Sequence, residues 1–363
     1  MDGSILRLNR YSFAYRKRLV RGALELKTCL RTKHLPWQLI LKGRSKAVDD
    51  ILEKFVTERH ELKRHSKGSL ALVKHAVLFC QVCRPRLRHR LKQTWATLKA
   101  WEEQEPGKLR PPLPIAVLMG LVCQARIRSQ LASSAHDELK WLVFSALVLV
   151  AYFGLLRPGE LFALRRKDVE LPNHVNLCLP CVTLGIEKPK NYRQLGFRQF
   201  ATVKHLSTCE WVSWVCSNMR SPDQKLWPHS GADFRKMFKD CCRQLGVLSC
   251  NFTPGSLRAG GSTFFFDEQE DIGRLRLLGR WSSIQSLEHY VQSTKGQQML
   301  QKLSPKTVSR LEVLLRQGGF LLQLPDRLLK KLPVGQRLNP PELDLDGPLW
   351  QACRRWGRAQ ATL

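Results

Sequence analysis

The sequence predicts a mainly α-helical protein with a small antiparallel β-sheet, arranged as two domains. Three observations predict it. Apolar residues recur at the three-to-four-residue spacing of a helix face over most of the chain. Between residues 175 and 203 that spacing gives way to the short apolar runs "VNLCLPCVTLGI" and "FRQFATV" around the polar "EKPKNYRQLG", a pattern of strands joined by a hairpin. The stretch "EEQEPGKLRPPLP" carries four prolines and a glycine, which disfavour a helix or strand interior and mark a linker. With 363 residues, 43% of them hydrophobic, the chain can bury a core on each side of that linker.

Residues 1–40 read as a solvated basic arm. Their start, "MDGSILRLNRYSFAYRKRLVRG", lacks the apolar core of a secretory signal, while its arginine-rich, acid-poor character leaves an organelle transit peptide open. Residues 41–104 read as a helical domain. Val48, Ile51, Leu52, Phe55 and Val56 make one amphipathic helix with Ser45 as its N-cap, and residues 69–82 make a second. A third, over 85–101, places Leu87, Leu91, Trp95 and Leu98 on one face and crowds Arg86, Arg88, Arg90 and Lys92 near its start. Those four cations are candidate phosphate contacts, with a plain solvated face as the alternative. Residues 105–114 form the linker.

The second domain covers residues 115–300. Its apolar run, residues 141–156, is shorter than a membrane crossing requires and contains Ser145 and Gly154, so a buried helix over about 137–156 is expected. That helix breaks at "RPGE", where Pro158 suits the first turn of a new helix through "ELFALRRKDV". After the hairpin, helical patterns resume at "ADFRKMFKDCCRQLGV", "TPGSLRAGGSTFFF", "EDIGRLRLLGRW" and "SIQSLEHYV". Residues 301–363 hold one helix, "KTVSRLEVLLRQ", and a proline-broken tail. There is no internal repeat.

Lysine and arginine number 60 against 30 acidic residues, a formal charge of +30 spread along the chain. Such a field favours a polyanion, most simply nucleic acid; composition alone leaves open a basic protein of another kind, such as a ribosome-associated one. Twelve cysteines without a secretory signal point to free thiols in a reducing compartment. Cys80/Cys83 and Cys178/Cys181 are CxxC pairs, but they lie far apart and the first continues an apolar helical pattern. Buried thiols are expected rather than a zinc site.

The chemistry concentrates in three places. In "TPGSLRAGG", Thr253 and Pro254 begin a helix and put Arg258 in its second turn, where a helix N-terminus and a two-pronged guanidinium together suit a phosphate. Arg157 stands at the abrupt end of the buried helix; a cation closing a helix C-terminus is the simpler reading of it. Tyr290 falls at the edge of a stripe formed by Ile284, Leu287 and Val291, and taken alone it reads as a packing residue.

Order and spacing change that reading. Arg157 and Glu160 in "RPGE", Lys190 in "EKPK", Arg258 in "SLRAGG", Trp281 in "LGRW" and then Tyr290 follow one another, and over roughly residues 110–295 the chain resembles the catalytic domain of the tyrosine recombinases, or phage integrases. The helical domain before the linker resembles that family's core-binding domain. The wording "RAGG" and "GRW" is most similar to recombinases of eukaryotic mobile elements, the DIRS-like and Crypton-like groups. The resemblance implies a site-specific DNA recombinase that cuts and rejoins strands through a 3′-phosphotyrosyl link to Tyr290. It implies that Arg157 and Arg258 stabilise charge on the phosphorane, that Trp281 packs and hydrogen-bonds there, and that Lys190 protonates the leaving 5′-oxygen, with Lys188 its competitor. Glu160 would orient a cation. No metal or other cofactor is implied. The implied partners are double-stranded DNA and further copies of the chain assembled on it, with no membrane, in the nucleus of a eukaryote or otherwise the cytoplasm or nucleoid. One position departs from the pattern: Gly255 stands where the family's HxxR has its histidine. Two alternatives follow, a DNA-binding protein of the same fold that no longer cuts, and a type IB topoisomerase-like nicking and closing enzyme.

Overall fold

The computed structural model describes residues 3–62, 69–105, 110–172, 181–187, 189 and 196–316, with 322, 323, 325 and 328 beyond them. The chain divides into two compact units, residues 1–108 and 109–363.

The first unit is helical. Helices Phe13–Thr32, Ser45–Glu61, Ser69–Cys83 and Lys92–Gln104 enclose a core that includes Leu26, Leu30, Leu52, Phe55, Val77, Leu87, Leu91 and Leu98. The expected amphipathic face of Ser45–Glu61 is buried at Val48, Leu52, Phe55 and Val56. The basic arm is not an arm. Residues 13–32 form a 20-residue helix with Leu19, Gly22, Ala23, Leu26 and Leu30 buried, and a Cβ on Gly22 would lie 2.8 Å from the Leu72 carbonyl oxygen, so the two helix backbones touch. Arg7, in the short helix Gly3–Asn9, donates to the carbonyls of Val82 (2.8 Å) and Cys83 (2.9 Å), closing the C-terminus of Ser69–Cys83. The dense lysines and arginines of this segment hide its apolar face from a composition-led reading.

The third expected helix is broken. Pro85–His89 is a 3₁₀ turn and a new α-helix runs Lys92–Gln104. The break has a cause in buried Asp49, whose carboxylate accepts the backbone N–H groups of Gln93 (3.1 Å) and Thr94 (3.0 Å) and the Thr94 hydroxyl (2.6 Å). A neighbouring helix therefore supplies the N-cap that the local sequence lacks. Arg86, Arg88, Arg90 and Lys92 are all exposed.

The second unit is mainly α-helical with one small sheet. Helix Ala135–Phe153 lies at its centre, packed against Ile115–Gln130, Leu206–Ser217 and Pro254–Gln269. Centrality explains why it is apolar all round: Leu142 and every residue of 144–152 are buried. No described helix is long and apolar enough to cross a membrane. Strands β1 (Val169–Glu170), β2 (Val182–Glu187) and β3 (Arg198–Val203) form an antiparallel sheet in that order, with Val182 opposite Val203 and Glu187 opposite Arg198.

The elements differ from expectation in four places here. The helix after Pro158 ends at Leu161, because the backbone from Leu164 to Lys167 pairs instead with residues 222–226. Helix Leu206–Ser217 was not signalled, since its buried Trp211, Val212, Trp214 and Val215 leave no polar face to reveal a period. Helix Ile284–Glu288 stops short of Tyr290, and Ile284 is exposed rather than part of a buried stripe. Residues 110–114 dock on the second unit rather than acting as free linker, with the Leu113 N–H bonded to the Ser256 carbonyl at 3.1 Å. Burial pushes the Cys80 thiol up to about 12, so it behaves as an inert core group; Cys178 lies outside the described residues. Among the described residues no cluster of three or more metal-ligating side chains occurs.

Candidate functional site

The helix Pro254–Gln269 carries the centre of the site. Ser256 accepts the Thr253 N–H at 3.2 Å and fixes the first turn. Two turns of close contact follow. A Cβ on Gly260 would lie 2.8 Å from the Leu113 nitrogen and nearer still to its carbonyl oxygen, and one on Gly261 would lie within 3.0 Å of the Tyr152 backbone. The paired glycines of "RAGG" thus let this helix press against Leu113 on one side and the end of Ala135–Phe153 on the other. Arg258 is thereby buried, 1% exposed, beside the reversal that follows that helix.

The reversal supplies acceptors. Leu155 has φ of +50°, a left-handed conformation that is costly for leucine, and its carbonyl accepts from both Arg258 Nη1 and Arg280 Nη2, the latter at 3.2 Å. Arg258 Nη2 donates to the Gly279 carbonyl at 2.6 Å. Gly279 is required by packing, since a side chain there would collide with the Trp281 ring.

Glu160 gathers the cations. It accepts the Arg157 backbone N–H at 3.0 Å and Arg157 Nη1 at 2.6 Å, a pairing that the i,i+3 spacing allows. It also accepts Arg280 Nη2 at 3.1 Å, and Arg258 Nη1 stands 3.9 Å away. The carboxylate is 8% exposed and Arg280 6%. Burial pushes the Glu160 carboxyl up, but Arg280 and the backbone and side chain of Arg157 outweigh it and hold the group below its ordinary range. Three guanidinium groups thus face one carboxylate. The surplus is felt by Arg258, whose pKa is driven down by burial first, then by Arg157 and Arg280.

Aromatic rings close the other side. The Trp281 ring, 5% exposed, lies 4.2 Å from the Arg258 Cζ, and the half-buried Tyr290 ring lies 5.4 Å from it. The two rings are 5.2 Å apart. Tyr290 is pinned by its backbone, with its N–H on the Leu287 carbonyl at 2.7 Å and its carbonyl accepting from Thr263 Oγ1 at 3.0 Å. Arg258 Nε and Trp281 Nε1 are buried donors without a hydrogen-bond partner, each carrying about 1–3 kcal/mol of unrelieved desolvation. This pocket of charge and orphaned donors suits an oxyanion.

Arg157, Glu160, Arg258, Trp281 and Tyr290 are therefore brought together from positions up to 133 residues apart in the chain. Gly255 begins the same helix as Arg258. Lys190 and Lys188 lie outside the described residues. Arg86, Arg88, Arg90 and Lys92 belong to the first unit. Sequence reasoning did not assign Arg280, the third guanidinium. Its φ of +59° and its burial are tertiary features, and the only sequence hint was its place inside "LGRW".

No protein-family model and no curated protein matches the chain. Among solved structures it is similar to the XerH site-specific recombinase bound to a palindromic difH substrate in a post-cleavage complex, at 14% identity over 67% of this chain and 68% of that one, with a TM-score of 0.44. It is also similar to XerH bound to difH before cleavage, at 15% identity over 72% and 69% with a TM-score of 0.43, and to XerA recombinase, at 15% identity over 86% and 97% with a TM-score of 0.38.

Proposed function

We propose that this protein is a DNA strand transferase of the tyrosine recombinase type, which cuts and rejoins DNA through a phosphotyrosyl link to Tyr290. The observation that carries this reading is the convergence of three guanidinium groups on a single buried carboxylate, with two aromatic rings, one of them a tyrosine, packed on the Arg258 guanidinium.

The chemistry follows from these groups. The Tyr290 hydroxyl attacks the phosphorus, giving up its proton and forming a tyrosyl O–P bond. The P–O5′ bond breaks and the departing oxygen takes a proton from Lys190 or Lys188. A free 5′-hydroxyl then reverses the step on another strand, so the bond energy is conserved in the covalent intermediate. Arg157 and Arg258 offset the charge that grows on the non-bridging oxygens, and the Trp281 N–H is a spare donor to one of them. Glu160 holds the guanidiniums in place, and Arg280 joins it in that positioning role. The +30 net charge supports double-stranded DNA as the substrate, with copies of the chain assembling on it. The "RAGG" and "GRW" wording supports a mobile-element origin.

Gly255 favours a second reading, a protein that grips DNA without cutting it. A nicked suicide duplex separates the two, because loss of the short fragment beyond the nick traps the covalent intermediate. The strand-transfer reading expects an adduct stable to denaturation, lost in Arg258→Ala with DNA affinity within a few-fold of wild type. Binding with no adduct on DNA containing the gene's flanking repeats would establish the second reading.

A further inference from the structure

The helix that carries Arg258 begins with Pro254 and Gly255, and the space beside Gly255 is filled from elsewhere. A Cβ at that position would lie 2.9 Å from Arg110 Cδ, 3.0 Å from its Cζ and closer still to its Nη1. The guanidinium of Arg110 therefore lies against the bare backbone of Gly255, where any other residue would place its side chain. Gly255 and Arg258 are three residues apart on one helix and share a face. The contact is anchored from its own side as well, since the segment that follows Arg110 is fastened to the helix through the Leu113 N–H and the Ser256 carbonyl and abuts Gly260.

Arg110 differs from the other cations of this site. Arg258 and Arg280 are buried and donate to backbone carbonyls, and Arg157 is paired with Glu160. Arg110 is exposed, and among the described residues it has no ion pair and no side-chain hydrogen bond. It stands at the first turn of a 16-residue helix, on the face of Arg258, whose Nε is a buried donor with no partner, as is Trp281 Nε1. The site thus has unfilled donors inside and an unpaired guanidinium at its rim.

We propose that Arg110 is a phosphate ligand of this site: its guanidinium, seated on Gly255, binds a non-bridging oxygen of the DNA phosphodiester on which Tyr290 acts. Gly255 is then the residue that makes room for Arg110, rather than a gap in the site. This rests on the strand-transfer reading for its substrate, but the anion-binding role of Arg110 is measurable without strand transfer.

The test uses the full chain in four forms: wild type, Arg110→Ala, Arg110→Lys and Gly255→His, with Arg31→Ala, an exposed position of the first unit, as a control for general loss of charge. One measurement is the rate of adduct formation on the nicked duplex. Arg110→Ala should slow it on the order of 10²-fold, the usual effect of removing one oxyanion donor, Arg110→Lys should slow it less, and Gly255→His should slow it by evicting the guanidinium. The second is the rise in melting temperature on replacing chloride by inorganic phosphate at equal ionic strength. That rise should be present in wild type and Arg31→Ala, and largely lost in Arg110→Ala and Gly255→His. If wild type forms no adduct, the strand-transfer reading falls, and the phosphate measurement alone decides on Arg110. An Arg110→Ala protein within twofold of an active wild type, an unchanged phosphate response, or a Gly255→His protein faster than wild type would each overturn the proposal.

Discussion

Replacing Glu160 by glutamine removes one charge and almost no volume, and its effect can be worked out from the contacts. The carboxylate accepts three hydrogen bonds from Arg157 and Arg280 and lies 3.9 Å from Arg258, in a site where Arg258 is 1% exposed. In Glu160→Gln the amide keeps one acceptor oxygen but turns an NH₂ group toward guanidinium donors. Three cations then share a buried site with no counter-charge. Removing one partner of a buried ion pair costs about 3–5 kcal/mol, and at about 2–4 °C per kcal/mol for a unit of this size the melting temperature should fall by about 6–20 °C. The loss should shrink with added sulfate, because an anion that binds the folded state stabilises it by mass action. It should also shrink in acid. Glu160 is held below its ordinary pKa in the fold, so its contribution is complete above the ordinary carboxylate value and is lost as pH falls through the depressed one. Wild type and variant should therefore converge as pH drops below about 4. The assay is thermal unfolding of both proteins across pH and sulfate concentration. A Glu160→Gln protein within 2 °C of wild type at neutral pH, about 1 kcal/mol or less, would refute the account of a carboxylate holding three guanidiniums.

Other expectations follow from single contacts. Gly261→Ala drives a methyl into the Tyr152 backbone, where the helices cannot separate without moving Arg258; urea unfolding should show a loss of at least about 1–3 kcal/mol. Asp49→Ala removes the cap of Lys92–Gln104 and leaves Thr94 without its buried partner; a loss of about 1–3 kcal/mol, with reduced helical circular dichroism, is expected. DNA affinity should fall on the order of 10³-fold between 50 and 200 mM salt if about six phosphates are neutralised. A flat titration would count against DNA as the partner.

What could be read from the sequence divides along physical lines. Helices with one buried face, such as Ser45–Glu61 and Gly231–Leu245, announce themselves by period. Leu206–Ser217 did not, because a segment buried on every side has no period to find. Phe13–Thr32 reads as an arm because six basic residues outweigh five buried positions in its sequence. The break at Arg90 was invisible locally, since its cause, Asp49, lies 44 residues away from the N–H group of Gln93 that it accepts. At the site, the types and order of Arg157, Glu160, Arg258, Trp281 and Tyr290 were legible. Arg280 and Arg110 were not: the first enters through a left-handed turn, the second through the space left by a missing side chain.

The central claim is that Tyr290 carries the DNA. Its most direct test is to trap the protein on a nicked duplex, digest the DNA with nuclease and the protein with trypsin, and weigh the peptide of residues 281–295. The account predicts that this peptide gains the mass of a 3′-phosphonucleotide on Tyr290, and that Tyr290→Phe yields no adduct. A nucleotide on any other residue, or an adduct that survives in Tyr290→Phe, would contradict it.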